Sequence, residues 1–535
     1  MPHAEALRET VAAAAEPWWR GATIYQIYPR SFCDSDGDGV GDLPGITERL
    51  HHVAELGVDA VWISPFFASP MRDFGYDVSD YRSVDPIFGT NADFDALVAR
   101  AHQLGLRVLI DLVFAHTSDE HPWFLESRAS RDNDKADWYV WADPKPDGSP
   151  PNNWQSVFGG PSWTWDARRE QYYHHNFLKE QPQLNGHSPG VQEALLDIVR
   201  YWLERGVDGF RFDAVNFMMH DRALTDNPPV ANPKQRTRPF DYQHHFHNQS
   251  QPEILTFLER LRTLCDAHGA AFALAEVGGE QAAQEMIDYT APGRLHSAYG
   301  FDFLYAEQLT PTLVAEAAAR WPDRPDLGWP SWAFENHDAP RAVSRWVAPE
   351  HRLQFARLKM LLLAALRGSI ILFQGEELGL TQVEVPFELL QDPEAIANWP
   401  QTLSRDGVRT PMPWCACEPG HGFTRGRPWL PFGEDHAALS VDAQVADERS
   451  LLHYTRAVIA LRNSQPALRW GTLEIVEAGE QRLVFDRVRE RQRLRCTFNL
   501  SEGALALAPA GRTLFATGHV TTDTIGGYAA AIEEL

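Results

Sequence analysis

The strongest constraint on the fold is a repeated alternation of strand-like and helix-like stretches along most of the chain. Eight strand candidates recur, and segments with helical spacing separate most of them. The continuous apolar run over 106–114 is typical of a parallel strand buried on both faces. Alternation over this length favours an α/β fold of the (β/α)₈ TIM-barrel type over a doubly wound sheet. The candidate strands begin near residues 22, 60, 106, 207, 271, 297, 331 and 369.

The alternation is interrupted once and is replaced at the C-terminal end. Residues 116–187 are rich in Pro, Gly, Asn and Trp and have no long period. A stretch of this length predicts a small domain inserted after the third strand, not a bare loop. From about residue 470 the chain contains short strand-like runs, which predict a C-terminal antiparallel β domain. The predicted domains are a barrel over 1–115 and 188–469, an inserted domain over 116–187 and a β domain over 470–535.

Charge and cysteine content exclude several classes of protein. The 535 residues carry a formal net charge of −25, which opposes binding to nucleic acid, anionic membranes and phosphorylated substrates. Five cysteines form no disulfide framework and favour a reducing compartment. The N-terminus has no signal-peptide pattern, and the most apolar stretch is broken by Arg367 and Gly368. We therefore expect a cytoplasmic protein without a membrane span, of undetermined oligomeric state.

Three acidic residues follow three of the strands, each where an apolar run turns polar. They are Asp213 in GFRFDAVN, Glu276 in AFALAEVGG and Asp338 in FENHD. The C-terminal ends of barrel strands converge on one mouth, so the three carboxyl groups should meet there. A structural role would explain any one acid alone. Three such acids, with Arg211 two residues before Asp213 and His337 directly before Asp338, favour catalysis by carboxyl groups. Glycoside hydrolysis is the best-known example of this chemistry.

Glycosidase chemistry suggests a role for each acid. Retaining enzymes place two carboxyl groups about 5–5.5 Å apart, so that one attacks the anomeric carbon while the other protonates the leaving oxygen. Asp213 is the expected nucleophile, and Arg211 on the same strand face should keep it ionised. Glu276 is the expected general acid and base, because the apolar residues before it should raise its pKa. Asp338 and His337 would hold sugar hydroxyls.

The order of these motifs identifies a family. The chain resembles the α-amylase superfamily, glycoside hydrolase family 13, and within it the α-glucosidase and oligo-1,6-glucosidase branch. The likeness extends from IYQIYPRSF to the β-rich tail and includes DLVFAHT, QPQLN, GFRFDAVN, EVGG, FENHD and RTPMPW in the family order. The resemblance implies that Asp213 is the nucleophile, Glu276 the acid/base and Asp338 the transition-state stabiliser.

The resemblance also implies the residues that surround the sugar at subsite −1. Tyr76 would stack on that sugar, and Phe158 would form a wall contributed by the inserted domain. Asp77 and Arg409 would close the pocket around the non-reducing end, which implies exo-action. The residues expected to line the site are His116, Arg211 and His337.

Three positions distinguish this chain within the branch. Ala115 replaces the Asn of the DxVxNH motif, so a local hydrogen bond should be lost but not the chemistry. Gln183 replaces the acid of the QPDLN motif, which we interpret as a difference in how the insertion packs. Ala214 follows the nucleophile directly, where Val is the mark of α-1,6 specificity in this branch. The smaller residue favours α-1,4 bonds and small substrates such as maltose.

The expected activity is that of a retaining, exo-acting α-glucosidase that forms a covalent glucosyl-enzyme. Its substrates would be small α-glucosides, and alcohol or sugar acceptors would compete with water for the glucosyl group. An oligo-1,6-glucosidase, a sucrose-acting enzyme and a maltose/trehalose isomerase remain alternatives. A non-catalytic, transporter-associated family member is the alternative from another class. It would tolerate loss of the three acids, which are all present here.

An acidic, Gly-rich loop, DSDGDGVGD, lies near the start of the predicted barrel. Its carboxylates are spaced two or four residues apart, and hard cations such as Ca²⁺ bind such oxygen ligands. It is not an EF-hand, because Gly45 stands where that loop needs Glu. The spacing, with a similar calcium loop in the resembled branch, predicts a structural Ca²⁺ site, with Mg²⁺ as the alternative ion. The expected ligands are the side chains of Asp34, Asp36, Asp38 and Asp42 and the carbonyl group of Val40.

Two other clusters are interpreted as incidental. His244, His245 and His247 lack the accompanying Cys or carboxylate ligands that a zinc site requires. Cys415 and Cys417 form a single C-x-C pair, and no second pair completes a metal or redox site.

Overall fold

Eight parallel strands form a closed barrel, which confirms the predicted fold class. The computed structural model describes residues 16–231, 238–321, 328–401, 404–417, 419–508 and 510–535. Neighbours in the barrel follow chain order, and pairing of Thr23 with Ile370 closes the ring between the last strand and the first. The strands are β1 (Thr23–Ile27), β2 (Ala60–Ile63), β3 (Arg107–Val113), β4 (Gly209–Asp213), β5 (Phe272–Glu276), β6 (Ser297–Tyr299), β7 (Trp329–Ala333) and β8 (Ser369–Phe373).

Helices cover the outside of the barrel, and alternation along each strand separates two apolar layers. In β5, Leu274 packs inside the barrel, whereas Ala273 and Ala275 belong to the layer between strands and helices. Thr90 and Asp93 form a capping box that begins α2. The main helices are α1 (Leu43–Glu55), α2 (Asn91–Gln103), α3 (Pro189–Glu204), α4 (Ile254–Ala267), α5 (Ala282–Tyr289), α6 (Pro311–Ala319), α7 (Arg352–Ala365) and α8 (Leu451–Ser464).

Shorter elements lie in the connections, mostly at the mouth of the barrel. The short α-helices outside the inserted region are Ala342–Arg345, Pro393–Asn398, Val441–Ala446 and Pro466–Trp470. The 3₁₀ turns are Pro29–Ser31, Val215–Phe217, Pro239–Tyr242, Pro349–His351, Glu376–Leu378, Phe387–Leu389, Arg405–Gly407 and Gly420–Gly422. Strands Phe67–Ala68 and Asp80–Val84 pair with each other between β2 and α2. No helix in the described ranges is long and apolar enough to cross a membrane.

The region between β3 and α3 contains its own small sheet and core. Helix Pro122–Ser127 precedes three antiparallel strands, Trp141–Ala142, Trp163–Asp166 and Gln171–His174. Trp154 stacks on Trp163 of this sheet, and both belong to a separate apolar cluster. The structure thus has a folded unit where an insertion is expected, although the domain boundaries themselves stay a prediction.

The C-terminal part is an antiparallel sheet, as predicted. Its strands are β9 (Thr472–Ala478), β10 (Arg482–Arg489), β11 (Gln492–Asn499), β12 (Arg512–Thr517) and β13 (Ala530–Glu534), in the order β9-β10-β11-β13-β12. The sequence did not indicate β13, which pairs between β11 and β12. Two short strands, Leu505–Ala506 and Thr524–Ile525, form a separate pair.

Candidate active site

The three acids expected at the barrel mouth all lie at its C-terminal end. Asp213 is the last residue of β4 and Glu276 the last of β5, while Asp338 lies five residues after β7. The side chains of Asp213 and Glu276 are 12% and 8% exposed, and that of Asp338 is 25% exposed. Three carboxyl groups from distant parts of the chain therefore share one partly enclosed site.

Arg211 joins two of these acids. It is fully buried on β4, two residues before Asp213, so both side chains leave the same face of the strand. Its Nη1 lies 2.6 Å from Asp213 Oδ1 and 2.8 Å from Asp111 Oδ1. Its Nη2 lies 2.5 Å from Glu276 Oε1. A single guanidinium group thus contacts Asp213 and Glu276 through two nitrogens bonded to the same carbon.

The backbone after the nucleophile candidate also turns toward Glu276. Ala214 adopts a left-handed conformation with φ 41° and ψ 43°, which is uncommon for a residue with a side chain. Its N–H donates to Glu276 Oε2 at 3.1 Å, and Tyr299 Oη donates to Glu276 Oε1 at 3.1 Å. These donors fix the orientation of the Glu276 carboxyl group beside Asp213.

Burial dominates the protonation of the Asp213 and Glu276 pair. Burial raises the pKa of Glu276 to about 7, against the opposing charge of Arg211, as the sequence indicated. Burial also raises the pKa of Asp213 to about 7, although Arg211 lowers it. Arg211 was expected to keep Asp213 ionised at neutral pH. It offsets the desolvation only in part, so both carboxyl groups titrate near neutrality.

Asp338 has the opposite electrostatic environment. Burial raises its pKa, but contacts with His337, Arg409 and Arg405 outweigh this effect and hold the pKa below the usual range for Asp. Oδ1 lies 2.6 Å from Arg409 Nη2 and 3.3 Å from Arg405 Nη1. Oδ2 lies 3.2 Å from His337 Nε2. Asp338 is therefore ionised throughout the neutral range, unlike the pair on Arg211.

Tyr76 and His337 form a stacked pair beside Asp111 and Asp338. Their ring centroids are 5.4 Å apart and their planes are nearly parallel, and Tyr76 Oη lies 2.6 Å from His337 Nε2. Tyr76 Oη also donates to Asp111 Oδ2 at 3.1 Å, which connects this pair to Arg211. Burial lowers the pKa of His337 to about 3, so its imidazole is neutral at physiological pH. Asp111 was not identified from the sequence, although it lies in the apolar run of β3.

His116 and Phe158 lie at the edge contributed by the inserted region. His116 Nε2 contacts the carbonyl oxygen of Tyr76 at 2.9 Å, while its buried Nδ1 has no protein partner. Burial lowers the pKa of His116 to about 4. Phe158 covers the guanidinium group of Arg405 at 5.1 Å. His116 therefore offers an unused ring nitrogen, and Phe158 covers a cation bound to Asp338.

Asp73 and Asp77 have different partners beside Tyr76, and the role predicted for Asp77 stays a prediction. Asp77 Oδ1 accepts hydrogen bonds from Ser69 Oγ and Asp73 N, and its Oδ2 accepts one from Arg72 N, so its carboxylate is used within its own loop. Asp73 Oδ1 instead contacts Arg405 Nη2 at 3.1 Å. Arg405, which the sequence analysis also missed, thus joins Asp73 to Asp338.

The two substitutions in the family motifs are accommodated without contact with the acids. Gln183 is buried; its Oε1 accepts from Asn176 Nδ2 at 2.9 Å, and its Nε2 donates to the carbonyl oxygen of Phe217 at 2.8 Å. It thus connects the inserted region with the turn after β4. The backbone oxygen of Ala115 accepts from Leu184 N. Both positions act in the packing of the insertion.

The acidic loop near α1 brings together three of its four predicted carboxylate ligands. Oxygen atoms of Asp34, Asp36 and Asp42 lie within 4.8 Å of one another. Asp38 is outside this group, and its Oδ1 accepts from Val40 N at 2.7 Å. A group of three carboxylates matches the oxygen ligands that Ca²⁺ prefers. The three carboxylates therefore fit a hard cation as ligands.

The side chains of the two clusters interpreted as incidental have other partners. Each of the three histidines has its own partner: His244 contacts Glu280 at 2.8 Å, His245 contacts Asn248 at 3.1 Å, and His247 contacts Asp221 at 3.5 Å. Cys415 and Cys417 are joined by a disulfide, which the sequence did not predict. Cys33, Cys265 and Cys496 are free and buried.

Comparison with known proteins agrees with this geometry. Residues 26–471 match the family described as Alpha amylase, catalytic domain. A probable alpha-glucosidase of Rhizobium meliloti (strain 1021) is 52% identical over 512 residues, which cover 93% of this chain and 92% of the relative. An oligo-1,6-glucosidase of Parageobacillus thermoglucosidasius is 36% identical over 496 residues, which cover 86% of each protein.

Solved structures show the same relationship in three dimensions. The alpha-glucosyl transfer enzyme XgtA has a TM-score of 0.92 and 51% identity, covering 97% of this chain and 99% of that one. An isomaltulose synthase of Erwinia rhapontici NX5, solved with sucrose, has a TM-score of 0.87 and 29% identity, covering 97% and 99%. The chain therefore belongs to the alpha-amylase family of glycoside hydrolases.

Proposed function

We infer that the protein is a retaining, exo-acting α-glucosidase that removes a terminal α-glucosyl residue through a covalent glucosyl-enzyme. Its preferred substrates are small α-1,4-linked glucosides such as maltose. The same intermediate transfers glucose to alcohol or sugar acceptors. The observation that carries the proposal is the contact of Arg211 with both Asp213 and Glu276, because it supports the short carboxyl separation of retaining enzymes.

In the first step, Asp213 and Glu276 act on opposite sides of the scissile bond. The ionised Asp213 carboxylate forms a bond to the anomeric carbon while the bond from that carbon to the leaving oxygen breaks. The protonated Glu276 carboxyl gives its proton to the leaving oxygen. Asp338, held ionised by Arg409, accepts hydrogen bonds from sugar hydroxyls and stabilises positive charge on the ring.

In the second step, Glu276 acts as a base. Its carboxylate takes the proton of a water molecule or an acceptor alcohol, whose oxygen bonds to the anomeric carbon as the bond to Asp213 breaks. Two inversions return the α configuration. Hydrolysis and transfer differ only in the attacking oxygen, so access to the acceptor side decides their ratio.

The closed side of the site supports exo-action. Arg405 connects Asp73 with Asp338 and is covered by Phe158. Asp73, in place of Asp77, and Arg409 would bind hydroxyl groups at the non-reducing end. A further sugar unit beyond that end would displace these ion pairs from a partly desolvated position, which is unfavourable.

Linkage preference is tested with four disaccharides. Because similar proteins are named oligo-1,6-glucosidase and isomaltulose synthase, isomaltose and sucrose are alternative substrates for this protein. We expect kcat/KM to be highest for maltose among maltose, isomaltose, sucrose and trehalose, because Ala214 leaves space beside Asp213. Higher kcat/KM for isomaltose would assign the protein to the oligo-1,6-glucosidases, and formation of an isomer from sucrose would identify an isomerase.

The role of Asp213 is tested by Asp213→Asn. The amide retains the shape of the side chain but cannot form the covalent intermediate, so release of glucose from maltose should fall by several orders of magnitude. Calorimetric binding of maltose should persist. Glu285→Gln is a matched control, because Glu285 is also buried but contacts Tyr289 and Asn216. Hydrolysis by Asp213→Asn at the wild-type rate would refute the assignment.

A structural Ca²⁺ site in the acidic loop is a separate proposal. The side chains of Asp34, Asp36 and Asp42 would hold the ion, with Asp38 and the carbonyl of Val40 as the other predicted ligands. Asp42 also caps α1 by accepting from Gly45 N at 2.6 Å. A bound cation would neutralise the mutual repulsion of these carboxylates at the start of the barrel.

A further inference from the structure

A second pocket lies on the outside of the barrel, where α1, α8 and the short helix Val441–Ala446 meet. Its volume is about 420 Å³, which is within the range of small-molecule binding pockets. None of its lining residues belongs to the candidate active site, so the glycosidase chemistry does not explain it. The lining residues that determine its chemistry are Arg49, Trp414, Val441, Val445 and Arg456.

Arg49 gives the pocket a cation that has no acidic partner. Its Cζ lies 4.9 Å from the ring centroid of Trp414, and its Nε is buried without a hydrogen-bond partner. Burial raises the pKa of the Cys33 thiol, and the adjacent Arg49 opposes this effect. In the described ranges no carboxylate forms an ion pair with Arg49. A guanidinium group carries a fixed positive charge and five N–H donors, so Arg49 is able to bind an external anion.

The acids that line the pocket already have their own partners. Glu55 Oε2 accepts from Arg456 Nη2 at 2.9 Å. Asp442 Oδ1 accepts from Ser440 Oγ at 2.7 Å and from two backbone N–H groups. Neither acid forms an ion pair with Arg49 in the part of the chain that the structure describes. The charge of Arg49 is therefore not neutralised within the pocket.

The wall formed by the short helix is apolar. Val441 and Val445 are four residues apart, so their side chains lie on the same face of that helix. Val445 is 48% exposed, so a ligand in the pocket would cover it. Trp414 is buried beside this wall, and its Nε1 donates to the carbonyl oxygen of Phe32 at 2.6 Å, which fixes its ring. The pocket thus combines one unpaired cation with a preformed apolar surface.

We propose that this pocket binds a small organic carboxylate. Arg49 binds the carboxylate group, because its planar guanidinium donates two parallel N–H bonds to a pair of oxygens. Val441 and Val445 cover the apolar body of the ligand and remove their own surface from water. An inorganic anion such as phosphate would satisfy Arg49 but leave this surface exposed. The proposal is independent of the proposed glycosidase activity, since the two sites share no residue.

The test is calorimetric titration of the full chain with phenylacetate, phenylacetamide and inorganic phosphate. Phenylacetate should bind with a Kd of about 1 mM or lower. Phenylacetamide has the same shape without the charge and should bind at least about tenfold more weakly, the size of one hydrogen bond to a charged group. Equal affinity for the amide would refute recognition by Arg49. Phosphate binding as tight as phenylacetate would refute the role of the apolar wall, and no binding of phenylacetate at about 10 mM would overturn the site.

Two independent variants locate the binding in this pocket. Arg49→Met keeps the apolar stem and should weaken phenylacetate binding at least about tenfold, whereas Arg49→Lys keeps the charge and should retain part of the affinity. Val445→Asp leaves Arg49 in place, and its added negative charge should weaken binding to a similar extent even if Arg49→Met does not fold. Arg82→Met is the control, because Arg82 also covers an aromatic ring, that of Tyr201 at 5.5 Å, but lies outside the pocket. Wild-type affinity in both Arg49→Met and Val445→Asp would show that phenylacetate binds elsewhere and would refute the proposal.

Discussion

The protonation of Glu276 predicts how activity responds to pH and to removal of this group. Burial raises its pKa to about 7, so about half of the molecules carry the acid form at pH 7. A Glu with the ordinary pKa of about 4.3 would be protonated in only about one molecule in 500. Asp213 also has a pKa of about 7 and must be ionised to attack. We therefore expect kcat/KM for maltose to follow a bell-shaped profile centred near pH 7.

The two limbs of the profile have different origins. Below pH 7 Asp213 gains a proton and is no longer a nucleophile. At pH 5, kcat/KM should therefore be about 100-fold lower than it would be with Asp213 fully ionised. Above pH 7 Glu276 loses the proton that the leaving oxygen needs. Because Asp213 and Glu276 interact, the two pKa values read from the profile belong to the pair and not to either residue alone.

Glu276→Gln should remove one limb and retain the other. With maltose, loss of the general acid should lower kcat by about 10²–10⁴-fold. Fluoride leaves without a proton, so formation of the glucosyl-enzyme from α-glucosyl fluoride by Glu276→Gln should stay close to the wild-type rate, with the acidic limb from Asp213 and no alkaline limb. The assay is fluoride release in a single turnover between pH 5 and 9, with Glu285→Gln as control. A loss of fluoride release in Glu276→Gln as large as its loss with maltose would show that Glu276 does not act as the general acid.

Three further predictions follow from other contacts. Asp73→Asn should lower kcat/KM for maltose about tenfold or more, because it breaks a partly buried contact with Arg405. If Asp77→Asn alters KM and Asp73→Asn has no effect, the proposal that Asp73 binds the sugar in place of Asp77 is contradicted. Removal of Ca²⁺ by a chelator should lower the melting temperature, because Ca²⁺ at about 100 times its Kd adds about 2.7 kcal/mol to the stability of the folded protein. The proposed site is contradicted if the chelator lowers the melting temperatures of the wild type and of Asp34→Ala equally. Lys359→Met should lower the free energy of unfolding, measured in urea, by about 3–5 kcal/mol, because Lys359 contacts the buried Glu335 and Glu376. A loss below about 1 kcal/mol would show that these two glutamates are neutral.

The barrel was predictable because its determinants are local and repeated. Continuous apolar runs such as that of β3 and helix signals such as the capping box at Thr90 and Asp93 are visible in the sequence. The three acids were found for the same reason, since each ends or follows a strand. The last strand, β13, was missed because its pairing partners, β11 and β12, lie outside its own segment.

The details of the pocket depended on tertiary contacts that spacing does not encode. Asp73 and Asp77 lie four residues apart in one loop, and only the hydrogen bonds of that loop decide which carboxylate contacts Arg405. Arg405 could have been suspected as a second arginine four residues before Arg409. The raised pKa of Asp213 reflects burial, which outweighs the one neighbouring charge that the sequence indicated.

The most direct test of the central claim is the anomeric configuration of the first sugar released. Proton NMR of maltose hydrolysis, recorded before mutarotation equilibrates the anomers, should show α-glucose from the non-reducing end. That result follows from attack by Asp213 and a second displacement assisted by Glu276. Initial release of β-glucose from that end would contradict the covalent intermediate and with it the proposed roles of both carboxyl groups.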